Sequence, residues 1–182
     1  MKKNKGFTLV ELIVVILILG ILTVVAAPKF INIQRDARIS ILKGTKGALE
    51  SSFAIFSAKT EMPSARIINK DSYKLMTINN YNIRISHYDN YPYFAYFGLG
   101  DEAKGIDALK AISNIDVYQL DKNGDASHKL NIEFYTKEEG DFRIFPQLKD
   151  YQYGDEDNHK KCYIQYNLDP SKPHFTLETS EC

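Results

Sequence analysis

The chain opens MKKNKGFTLVELIVVILILGILTVVAAP (residues 1–28), a basic stub running into an apolar stretch that holds one acidic residue, Glu11. Across residues 7–27 only Thr8, Glu11, Gly20 and Thr23 interrupt the apolar side chains. A helix rising ~1.5 Å per residue would carry this stretch across roughly 30 Å, about one bilayer core. The reading of the glutamate decides the rest.

A cleaved secretory signal would explain the n-region of Lys2, Lys3 and Lys5 and the small residues Val25, Ala26 and Ala27. Against it, Pro28 would follow the scissile bond and hinder the peptidase, and Glu11 would lie in an apolar region that should carry no charge. A plain membrane anchor has the same difficulty with Glu11. An acidic side chain in a spanning helix costs on the order of 2 to 3 kcal/mol, less near an end.

A third reading accounts for the glutamate and for the glycine before it. Gly6-Phe7-Thr8-Leu9-Val10-Glu11 resembles the cleavage site of type IV prepilins, which a membrane peptidase cuts on the cytoplasmic side, here after Gly6. The resemblance implies that residues 1–6 are a removable leader and that the same peptidase N-methylates the new amino terminus, Phe7. A carboxylate in an apolar setting is tolerable when paired with a positive charge. Glu11, one helical turn on, could meet its own Phe7 amine or that of a neighbouring subunit; the family favours the neighbour, which makes the pair an assembly register. The alternative for Glu11 is a side chain snorkelling to the membrane face.

The 182 residues suit one ordinary domain with an appendage, and 44% hydrophobic with 25% charged residues is a foldable composition. Formal net charge is zero, but without the three leading lysines 20 basic residues face 23 acidic ones. A generally basic nucleic-acid surface is thereby disfavoured.

Residues 28–59 continue the helix with an amphipathic period. Phe30, Ile33, Ala37, Ile41, Ala48 and Ile55 share one side, with Asp36, Lys43 and Glu50 on the other. Pro28 predicts a bend or local unwinding, because proline removes a helical hydrogen bond. The stretch AAPKFINIQRDARISILKG (residues 26–44) is similar to pilins of the mannose-sensitive haemagglutinin type. Beyond about residue 50 the likeness is one of layout, a variable head with two cysteines near its end.

The head, residues 60–182, carries strand signals at 81–87, 115–120, 130–135, 142–145, 162–166 and 174–178, with a short helix at 101–113. The expected fold is α+β, a type IV pilin fold with a long amino-terminal helix and a small antiparallel sheet. The expected divisions are therefore a leader (1–6), a membrane and filament-core half-helix (7–27), an amphipathic half-helix (28–59) and the head (60–182). Cys162 and Cys182 read as a disulfide if the head lies outside the cytosol, worth roughly 3 kcal/mol and stapling the terminal strand. Two free buried thiols are the other reading.

Three further stretches carry polar or aromatic side chains suited to binding. Asp121, Asn123 and Asp125 alternate as in a calcium loop, but the glycine comes too early and no glutamate stands at the twelfth place, so Asn123-Gly124 reads first as a hairpin turn. The aromatic run at residues 88–98, beside Asp89 and Asn90, is suited to stacking on a sugar and equally to filling a groove between sheet and helix. His159, Lys160 and Lys161 could touch DNA, although 15 basic against 20 acidic residues from Lys59 onward oppose it. His87, His128, His159 and His174 show no ligand spacing, and neither a nucleophile elbow nor a phosphate loop is present. No cofactor and no enzymatic activity are expected.

The resemblance thus implies a structural subunit of a surface-attachment filament, held in the bacterial inner membrane before assembly and outside the cell after it. Its implied partners are further pilins, a prepilin peptidase, an inner-membrane platform and motor ATPases. The alternative is a minor pilin or type II secretion pseudopilin whose head binds a ligand.

Overall fold

The computed structural model describes residues 7–94, 102–120, 128–134, 140–147, 161–169 and 174–182. Two compact units divide the chain, residues 1–38 and 39–182.

Helix α1 spans Leu9–Thr60. It starts where Thr8 can cap it, carries Glu11 in its first turn and Lys59 in its last, and so matches the helix dipole at both ends. Pro28 lies inside it without a break in helical structure, so the unwinding expected there is absent. The last turn tightens, with Glu61 N–H donating to the Ala58 carbonyl at 3.3 Å and Met62 N–H to that of Lys59 at 3.2 Å, just before Pro63.

In the carboxyl-terminal unit the buried stripe of α1 is Leu42, Thr45, Leu49, Phe53 and Phe56, spaced three or four residues apart. This corrects the stripe read from the sequence. Ile55, Ala48, Ala37, Phe30 and Ile33 are exposed and Ile41 is half-buried. The helix carries two apolar stripes about a quarter to a third of a turn apart. Periodicity alone weighs them alike; the aromatic residues of the strands select the one with Phe53 and Phe56.

The strands among the described residues make two sheets rather than the single sheet expected. The first sheet has the order β1 (Ile67–Asn69), β2 (Lys74–Ile78), β3 (Tyr81–Ile85), β4 (Pro92–Tyr93), all antiparallel. Asn79 and Asn80 join β2 to β3 with φ of 49° and 66°, the left-handed pair that a tight two-residue hairpin requires. Asparagine tolerates that region better than most side chains. Helix α2 (Gly105–Ile112) follows, and the Ala103 N–H ties its entrance to the Asn82 carbonyl at 2.8 Å.

The second sheet runs β5 (Tyr118–Gln119), β6 (Leu130–Phe134), β7 (Phe142–Pro146), β8 (Tyr163–Tyr166), β9 (Phe175–Glu178) in sequence order. Its pairs are antiparallel except β5 with β6, which is parallel. One core joins both sheets, α2 and α1. Phe53 sits at its centre, with ring centroids of Phe94, Tyr166 and Phe175 at 5.5, 5.1 and 5.2 Å. Aromatic edges and faces at these separations attract beyond the area they bury. The Cys162–Cys182 disulfide closes the last segment, with its Cα atoms 4.8 Å apart.

Candidate functional site

The most apolar part of the chain is also its most exposed. From Phe7 to Val25 the large apolar side chains are between 43% (Ile13) and 79% (Phe7) accessible. Burial of a leucine or isoleucine is worth about 1.5 to 3 kcal/mol, so a surface of this kind needs an apolar partner from outside the chain. The helix is long and apolar enough to cross a membrane.

At its start the backbone and Glu11 answer one another. The Thr8 N–H donates to Glu11 Oε2 at 2.8 Å and the Thr8 hydroxyl donates to the same oxygen at 2.7 Å. Within the same turn, the Glu11 N–H reaches the Thr8 hydroxyl oxygen at 3.3 Å. This is a capping box, in which a threonine and a glutamate three residues on satisfy each other's backbone donors. The signal Thr-x-x-Glu is local and stood in the sequence, although the sequence reading looked to the Phe7 amine and passed over Thr8. Phe7 itself is exposed, and Gly6 lies outside the described residues.

The other sites read from the sequence are dispersed. Asp121, Asn123, Asp125, His159 and Lys160 lie outside the described residues, as do 95–98 of the aromatic run. The Lys161 N–H donates to Glu181 at 2.9 Å, which ties the two ends of the disulfide loop. Of the aromatic run, Tyr88 turns to solvent at 74% exposure, whereas Phe94 is buried in the core. Tyr93 and Tyr73 flank Arg84, whose guanidinium lies 4.7 and 4.6 Å from their ring centres. Tyr91 stacks on His174 at 4.3 Å, and His128 stacks on Tyr118 at 3.9 Å. Among the described residues no three His, Cys, Asp or Glu side chains are placed to share a metal ion.

Sequence reasoning missed one cluster. Asp89, Tyr91, Tyr166 and His174 converge although they lie on separate strands and loops. The Tyr166 hydroxyl donates to the Pro92 carbonyl at 2.9 Å. Burial, followed by the nearby Asp89, Tyr91 and Asp141, pushes its ionisation well above the usual tyrosine value, so it remains a donor. No local pattern could have announced the meeting of His174 with a residue so distant in sequence.

Comparison with known proteins bears on the amino-terminal half. The family described as "Prokaryotic N-terminal methylation motif" matches residues 1–27. The chain is 39% identical over 59 residues to the type IV narrow pilus major component PilA5 of Thermus thermophilus, covering 32% of this chain and 51% of that one. It is 33% identical over 84 residues to the type IV major pilin protein PilA of Myxococcus xanthus, covering 46% of this chain and 38% of that one. With the fimbrial protein EcpB of Eikenella corrodens it shares 39% identity over 79 residues, covering 41% and 50%. The chain thus spans about half or less of the length of these curated relatives. No solved structure matches it. The chain is thus similar to type IV pilins over its amino-terminal segment, where a methylation motif leads a long apolar helix.

Proposed function

We propose that the chain is a structural subunit of a type IV pilus, cut after Gly6 and N-methylated on Phe7 by a prepilin peptidase. Residues 7–27 then serve twice, first in the inner membrane and afterwards in the core of the filament, where copies of the same helix cover one another. Residues 28–59 continue that helix, and residues 60–182 form the outward head. An inner-membrane platform and motor ATPases would supply the work of extraction, and the protein itself catalyses nothing. The observation that carries the proposal is the exposed apolar helix whose acidic residue, Glu11, sits in its first turn.

Glu11 acts as the assembly register. Before cleavage Thr8 satisfies its carboxylate. After cleavage the amine on Phe7 of a neighbouring copy would offer the carboxylate a charge in a setting without water, where such a pair gains most. A Glu11→Ala chain should insert in the membrane, be cleaved, and yield no filaments. Normal filaments from that variant would remove the register from the proposal. Mass spectrometry of sheared filaments tests the processing directly, with a chain starting at methylated Phe7 expected and intact Met1 excluding it.

The finer part of the proposal is surface attachment of the mannose-sensitive haemagglutinin type, supported by the likeness of residues 26–44 and by exposed Tyr88. Mannose should then inhibit adhesion of piliated cells, and Tyr88→Ala should weaken it. Abundance decides between this role and that of a minor pilin or secretion pseudopilin. A major subunit dominates a sheared preparation.

A further inference from the structure

Charge along the first unit is as uneven as hydrophobicity. No charged residue stands between Glu11 and Lys29, and just beyond the apolar run come Lys29, Arg35 and Arg38, with Asp36 the acidic residue among them. Lys29, Arg35 and Asp36 are exposed and Arg38 is half-buried. Among the described residues neither Lys29 nor Arg35 joins an ion pair.

Helical geometry sets their height. At ~1.5 Å per residue, the Cα atoms of Lys29 and Arg35 lie about 3 and 12 Å beyond Ala27 along α1. The polar layer on each side of a bilayer is about 5–7 Å deep, so Lys29 starts within it. Cα–Cβ bonds in a helix tilt toward its amino terminus, and the long side chain of Arg35 leans back toward the same layer.

Their placement around the helix decides the kind of partner. With 3.6 residues per turn, Lys29 and Arg35 stand about a third of a turn apart, and Lys29 and Arg38 about half a turn. A protein docked on one face of the helix would miss part of this set, whereas a lipid leaflet surrounds the helix and meets all of it. The number of basic residues on this side also needs a reason. Short cytoplasmic flanks carry the excess of Lys and Arg in most spanning helices. Under the processing proposed above the leader is cytoplasmic, yet it holds Lys2, Lys3 and Lys5 against Lys29, Arg35, Arg38, Lys43 and Lys46 within about twenty residues on the far side. Charges that oppose the orientation serve something on the side they occupy.

We propose that Lys29 and Arg35, with Arg38 one turn beyond, form a cationic collar that binds the phosphates of anionic phospholipids in the leaflet opposite the leader. The inference rests on the membrane residence of residues 7–27 proposed above. Lysine supplies a compact charge and arginine a planar fork that matches phosphate. The collar fixes the depth of the helix, and its lipid contacts are given up when the subunit leaves the membrane.

The test is reconstitution of the full-length chain into phosphatidylcholine vesicles that hold a trace of spin-labelled phosphatidylglycerol or spin-labelled phosphatidylcholine. Electron paramagnetic resonance reads the fraction of each label immobilised at the protein. Phosphatidylglycerol should be preferred by about fivefold, the factor that one Lys or Arg near a charged membrane surface supplies. The preference should fall to parity in Lys29→Gln/Arg35→Gln and weaken in high salt. Lys74→Gln/Lys110→Gln, which removes the same charge from exposed positions of the head, should leave it unchanged. Inorganic phosphate should lower it no more than sodium chloride of equal ionic strength; a larger loss would make the collar a free-anion site and overturn the lipid assignment. Parity in the unaltered chain, or an equal loss in the head variant, overturns the collar. Filaments lost from the collar variant with its lipid preference intact would assign these residues to the acidic head of a neighbouring copy instead. A chain that floats with neither vesicle would remove the membrane reading itself, a failure distinct from floating without lipid preference.

Discussion

The two units of this chain bury their apolar residues in opposite ways. Residues 7–25 hold the densest run of Leu, Ile and Val and bury almost none of it, while the stretch of α1 from Leu42 to Phe56 has fewer apolar residues and buries every third or fourth one fully. Hydrophobicity in a sequence states that a surface must be covered. Whether the cover comes from the same chain is decided by what else that chain can bring. For the carboxyl-terminal unit the two sheets and α2 supply it; for the amino-terminal unit the described residues of the chain supply none.

The strongest way to break this contrast is at the centre of the self-covered core. Phe53→Ala removes a ring that touches Phe94, Tyr166 and Phe175 and should cost about 3–5 kcal/mol, read as a lower denaturant midpoint in the detergent-solubilised chain. Reduction of Cys162–Cys182 should come next, at roughly 3 kcal/mol, because it frees the segment that ends the second sheet. Gly140→Ala ranks third. Gly140 has φ of +70° and an added Cβ would meet Leu168 Cδ1 at 2.6 Å and the Phe94 backbone at 3.2 Å, so a loss above about 1 kcal/mol is expected in the same measurement.

The smallest effect is the most informative. Ile55 lies on α1 among the buried residues yet is 57% exposed. Ile55→Ala should change the stability of the isolated chain by less than about 0.5 kcal/mol. If filament yield nevertheless falls, the second stripe of the helix is covered by another copy; unchanged yield would mean that it stays in water.

Much of this was legible in the sequence because the signals were local. The apolar run, the Thr-x-x-Glu start, Lys59 near the end and Pro63 beyond it delimit α1 almost to the residue. Six strand segments were found near their places, since alternating β-branched and aromatic residues mark half-buried strands. β1, β2 and β4 were missed: β4 is two residues long, and Lys74–Ile78 has no clear alternation. The sequence reading therefore counted one sheet where the chain builds two.

Acting alone, the sequence determined the amino-terminal motif, the extent of the long helix and the availability of two cysteines for a terminal bond, because each depends on neighbours along the chain. Tertiary structure decided which apolar stripe of α1 is buried, that two sheets share the core, and that His174 meets Asp89 and Tyr91. Those outcomes depend on residues far apart in sequence, and only the competition among whole packed surfaces selects between faces that the helical period leaves equal.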